Sequence, residues 1–238
     1  MICDFTVDDQ GNISNDLFDV KLGLIQQTNT LVISVEEKDS LPSEASNYRI
    51  IAAKLRANVG NFSVGDDYLL GKDLSTVTAH YQVVKAEGSD AVRGIWFMVG
   101  DTLKEAGMDL PDISISGWRY ESFAVVNSDT FSMGTFSSPA GPDRRNDYGD
   151  GLQEYPFPGE NFLTDPATGQ DLNLDLRGAE IIVKIIPPFP GYSNKIFNLE
   201  IFKGTVPNDA AENTDYQLEN NNATFPGGTA KLIVKLYE

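Results

Sequence analysis

The sequence predicts an all-β protein built from antiparallel strands in a sandwich or barrel. Three observations carry this. Apolar residues recur at every second position along most of the chain, the period of a half-buried strand. Twenty-one glycines and twelve prolines punctuate those runs at short intervals. No window sustains the 3.6-residue period of a long helix.

Taken in order, Phe18, Val20, Leu22 and Leu24 alternate with polar residues or glycine and read as a first strand. Val77, Ala79, Tyr81 and Val83 form a second run, with Thr78, His80 and Gln82 on the outward face. After Asp101, a suitable N-cap, Thr102 to Ala106 predict one or two turns of helix. Tyr120, Ser122, Ala124 and Val126 alternate with Arg119, Glu121, Phe123 and Val125. Ala230, Leu232, Val234 and Leu236 predict a final strand over 229–237 that closes one sheet. Trp118, Phe123 and Phe136, with Tyr48 and Phe62, are the expected core rings.

An internal repeat organises these strands. Residues 41–64 and 110–138 both run Leu-Pro, a polar loop, aromatic-Arg (Tyr48-Arg49 and Trp118-Arg119), an apolar strand, a turn, and Gly-x-Phe-Ser. Downstream, 77–100 corresponds to 181–204. The expected domains are 1–107, a first repeat with N-terminal strands, and 108–238, a second repeat with a long loop at 138–175 and the C-terminal strand. No Gly/Ser linker separates them, so they are expected to pack as one unit.

Eighteen basic against thirty-five acidic residues leave a net charge of −17. Nucleic acid and anionic lipid both need a basic face, so neither is an expected partner. One cysteine and one histidine exclude an internal disulfide and a Cys/His zinc site. No apolar run has the roughly 18 residues of a membrane helix. The N-terminus shows no basic or apolar region of a signal peptide. A truncated export signal would put Cys3 at a lipidation position; otherwise Cys3 is a free thiol.

The segment Tyr120-Glu121-Ser122-Phe123-Ala124-Val125-Val126, a turn at Asn127-Ser128-Asp129, then Phe131-Ser132-Met133-Gly134-Thr135-Phe136 carries a family pattern. So do Asp175-Leu176-Arg177-Gly178, Glu180 to Ile186, Pro187-Pro188 and Leu199 to Pro207. Together these resemble the extracytoplasmic domain of anti-sigma-K factors and related bacterial surface lipoproteins. The likeness is clear over 110–207 and faint over 41–107, with Phe123 where that family usually has Trp. It implies an immunoglobulin-like sandwich outside the cytoplasm; with the internal repeat, the expected fold is two immunoglobulin-like sandwich repeats packed as one unit. It does not imply sigma-factor regulation, because the sigma-binding segment and membrane helix are not in this sequence. The motif supplies no catalytic residue.

Candidate chemistry is sparse. His80 lies on the outward face of its strand, and no G-x-S-x-G nucleophile elbow accompanies it. Carboxylate pairs (Asp8-Asp9, Glu36-Glu37, Asp66-Asp67) could run glycoside hydrolysis, but thirty-five acidic residues produce such pairs by abundance. Asp143, Asn146, Asp147 and Asp150 cluster oxygen donors among glycines, as calcium requires, although Arg144 and Arg145 oppose a cation and the EF-hand spacing is absent. Tyr148, Tyr155, Phe157 and Phe162 put rings on the long loop; they either contact a protein or glycan ligand, or fold back to cap the sheets. The expected function is a non-enzymatic, extracytoplasmic surface or envelope protein acting by binding or assembly, with a protein or glycan at the cell surface as partner. A carboxylate-based glycan hydrolase and a self-assembling fibre or virion subunit are the alternatives.

Overall fold

A computed structural model describes residues 4–8, 10, 12–36, 46, 48–65, 69–144, 147–149, 155–187 and 199–234. Of these, 41% are in strands or bridges and 4% are helical, so the protein is all-β, and every pairing is antiparallel. The chain forms two compact units, Met1–Val64 with Pro226–Glu238, and Gly65–Phe225. A boundary at 107/108 falls inside the larger of them.

The smaller unit holds a four-stranded sheet of β1 (Thr30–Ser34), β2 (Arg49–Lys54), β3 (Val59–Val64) and β14 (Gly228–Lys231), in the order β1-β2-β3-β14. The strand expected over 229–237 is thus shorter at its described end. β2 and β3 are joined through Ala57 and Asn58, both with positive φ, the two-residue turn whose twist matches a hairpin. The strand expected at 18–24 is not one. Leu22–Ile25 form a single helical turn, α1, with Leu22 and Leu24 more than half exposed. Alternation fixes a strand only where one face is buried, and none of α1 is buried. Tyr48 and Phe62 are half-buried, less than expected of core rings.

The larger unit contains β4 (Ala79–Lys85), β5 (Val92–Trp96), β6 (Met98–Val99), β7 (Glu105–Ala106), β8 (Arg119–Val126), β9 (Asp129–Phe136), β10 (Gly159–Asn161), β11 (Glu180–Ile186), β12 (Leu199–Thr205) and β13 (Tyr216–Asn220). Eight of these make one sheet in the order β10-β5-β4-β13-β12-β11-β8-β9, while β6 pairs with β7. Strands from both proposed repeats therefore share this sheet, β4 and β5 with β8, β9, β11 and β12. The sheet curls until its edge strands, β9 and β10, lie beside one another. No helix follows Asp101. Two helical turns without a packed face are too short to nucleate, and Glu105–Ala106 instead take up the register Met98↔Ala106 and Val99↔Glu105.

The core sits on this sheet. Val77, Ala79, Tyr81 and Val83 are buried, as their alternation predicts, and so are Trp118, Phe123 and Phe136. Gln82, expected outward, is buried too: Nε2 donates to Gly100 O (2.8 Å) and Asp215 Oδ1 (2.6 Å), and Oε1 accepts from Lys104 Nζ (2.6 Å). Burial holds the Tyr81 and Tyr120 phenols neutral by pushing both well above their ordinary range. β8 and β9 turn at Asn127-Ser128, again with positive φ. Gly134 has φ +97° in a bulge where β9 gains a residue on β8.

Candidate functional site, an acidic seam

The most unusual chemistry lies where the two sheet edges meet. Asp143, Arg144 and Tyr148 bond to the residues around them. Arg144 N donates to Thr135 O on β9 (2.9 Å). On the other side, Asp143 Oδ2 accepts from Gly159 N at the start of β10 (2.9 Å). Gly159 is required there, since a Cβ would stand 2.5 Å from Ile95 O. Tyr148 O accepts from Leu163 N (2.9 Å) and Thr164 N (2.8 Å). Edge groups that would otherwise face water thus find partners in this connection.

Two carboxylates are buried in the seam, Asp143 at 9% exposure and Glu160 at 1%. Glu160 Oε1 accepts from Asn161 N (2.9 Å), and Oε2 makes a long contact with Tyr148 N (3.5 Å). Burial pushes the Glu160 carboxyl up to about 7; the Asp143 charge adds to this, while the N–H groups of Tyr148, Asn161 and Asp147 pull the other way. Nothing in the sequence singles out Glu160 among thirty-five acidic residues.

The loop rings fold back onto the sheet. Tyr148 packs on Phe162 (5.2 Å between centroids) and edge-on to Phe131 (5.7 Å). Tyr155 stands edge-on to Trp96 (5.1 Å), whose Nε1 donates to Asn161 Oδ1 (2.8 Å). Phe157 is buried with Trp96 and Met98 and is covered from ligands, while Tyr148 and Tyr155 are half-buried.

Of the four oxygen donors expected for calcium, Asn146 and Asp150 lie outside the described residues, as do Arg145, Asp9, Glu37, Asp66, Asp67 and Cys3. Asp143 turns inward to Gly159, whereas Asp147 is exposed. The structure therefore gives Asp143 a partner within the chain. Among the described residues, no group of three His, Cys, Asp or Glu side chains is arranged to hold a metal ion. His80 is half-buried on β4, and its backbone N donates to Gly107 O (2.8 Å).

A second polar cluster ties the β4–β5 hairpin to the 164–177 segment. Asp171 meets Arg93 (2.5 Å). Asp175 meets Arg177 (2.5 Å) and accepts from Val92 N (3.3 Å). Asp90 meets Lys85 (2.5 Å) and Arg177 (3.3 Å). Hydrogen bonds from these cations hold Asp90, Asp171 and Asp175 below the usual carboxylate range. Both clusters are geometrically suited to fastening backbone.

Apolar exposure falls elsewhere. Val7, Ile13, Leu17, Leu22, Leu24, Val32, Val59, Ile233 and Val234 are exposed in the smaller unit; among described residues of the larger unit only Leu103 and Ile115 join them. No helix among the described residues is long and apolar enough to cross a membrane. Set against protein-family models, curated proteins and solved structures, the chain matches none of them.

Proposed function

We propose that the protein is a non-enzymatic, extracytoplasmic surface or envelope protein that acts by binding or assembly, with the smaller unit as its contact surface. One observation carries this: among the described residues, nine of the eleven large exposed apolar side chains belong to the smaller unit. Exposed apolar groups in such concentration mark interaction sites. The placement outside the cytoplasm rests on the likeness of 110–207 to the extracytoplasmic anti-sigma-K domain, which also supports an immunoglobulin-like reading of the strands. The hydrolase alternative has less support, since Glu160, whose carboxyl burial pushes up to about 7, is sealed from substrate.

The test is made on cells that produce the chain. Protease added to intact cells is expected to degrade it. Washed envelopes are expected to retain it and to release the triple variant Leu17→Ser, Leu22→Ser, Leu24→Ser. Full protection from protease, or equal retention of the variant, overturns the reading. Reducing-sugar release from envelope glycan by the purified chain favours the hydrolase.

A further inference from the structure

Among the described residues, the edges of the two principal sheets are not equally guarded. An uncovered edge strand offers unpaired N–H and C=O groups to another chain, and stable proteins blunt such edges with charge, proline, glycine, bulges or cover. β9 and β10 lie beside one another, with Arg144 bonded to the first and Asp143 to the second. β14 follows Pro226 and Gly227, begins at Gly228 and ends at Lys231. β1, Thr-Leu-Val-Ile-Ser, has no charge, no proline and no glycine. Its pairing with β2 is regular from Thr30 to Ile33, and the one register shift comes at Ser34. Val32, at its centre, is exposed.

Charge favours a second copy as the occupant. The smaller unit has ten acidic and seven basic residues, the larger twenty-five and eleven. Two copies of so acidic a protein repel each other through their larger units and approach at least cost through the smaller ones. β1 is also complementary to itself. Laid antiparallel about Val32, Thr30 faces Ser34, Leu31 faces Ile33 and Val32 faces Val32, while Glu36 falls opposite Thr28, so no like charges meet.

We infer that β1 pairs antiparallel with β1 of a second copy about a two-fold axis through Val32, joining two four-stranded sheets into one of eight. The inference deepens the binding reading and rests on it. A two-fold pair closes and does not grow, so it yields a dimer and not a fibre.

Sedimentation velocity of the full chain over a wide concentration range tests the pairing. A monomer–dimer equilibrium is expected. Val32→Lys sets two ammonium groups opposite each other and is expected to weaken the dimer about tenfold or more. In a Cys3→Ser background, Val32→Cys is expected to give a disulfide-linked dimer under mild oxidation, while Thr229→Cys on β14 gives none. A chain that stays monomeric with no cross-link overturns the pairing. Association that Val32→Lys leaves unchanged, with no cross-link through position 32, also overturns it but leaves assembly standing. Failure of protease shaving and envelope retention counts against the broader reading and is independent of either result.

Discussion

The two units share antiparallel strands and differ in what those strands cover. All but four of the buried apolar residues among those described lie in the larger unit, and the four in the smaller are Ile50, Ala52, Ala53 and Val64. The larger unit carries a charge of −14 and the smaller −3. In the larger unit, apolar surface has gone into a core and the chain is strongly acidic, a charge that opposes close approach of like copies. In the smaller unit, apolar side chains stay outside and the charge is nearly balanced. Strand pattern alone therefore does not separate a self-sufficient sheet from one that presents a surface.

The contrast is broken most directly at Phe136. It is 1% exposed and packs on Tyr120 at 5.3 Å, so Phe136→Ala is expected to cost about 3–5 kcal/mol in a urea titration. A loss under about 1 kcal/mol would show that the larger unit's core does not carry its stability.

Glu160 comes next, and its sign is specific. Its folded-state value of about 7 lies above the ordinary 4.5. Its stabilising contribution is complete below about pH 4.5 and fades as the pH rises to about 7. That decline is worth roughly 3 kcal/mol. Glu160→Gln is expected to remove it, so the variant gains on the parent between pH 5 and 8. An equal stability difference at both pH values would show that Glu160 titrates normally.

Gly65 is third. It has φ +71°, and a Cβ would stand 2.6 Å from Leu74 Cγ. Gly65→Ala is expected to cost about 1–3 kcal/mol, read as a lowered urea midpoint.

The smallest effect sharpens the comparison from the other side. Leu22→Ser, on an exposed turn of helix, is expected to change stability by less than about 0.5 kcal/mol in the same titration. A larger loss would mean that this residue serves folding and not contact.

What the sequence revealed follows the same division. The run Val77 to Val83 was legible because it lies against a core that enforces alternation. Phe18 to Leu24 carries the same pattern with nothing packed on it at α1, and there the pattern had no force. Hairpin turns such as Asn127-Ser128 are local and readable. The pairing of β3 with β14 is not local, since Phe62 and Gly228 are separated in the sequence by all the residues of the larger unit. The seam was hidden for a related reason. Asp143 looks like a metal donor among glycines until Gly159, sixteen residues on, claims its oxygen. Glu160 becomes special only once β10 folds it under the connection, which no spacing announces.

The chain leaves the smaller unit at Val64 and returns to it at Pro226. On the ribosome this imposes an order. The larger unit is continuous in sequence and can close as soon as it has emerged. The edge of β3 that takes β14 has no partner until residues 228–231 are made. During synthesis the smaller sheet is thus an unfinished ribbon, open at β3 as well as at β1, for as long as the intervening segment takes to translate. A pause or premature stop before Pro226 would release a folded larger unit tethered to an incomplete sheet, the form of this protein most prone to pair with the wrong chain.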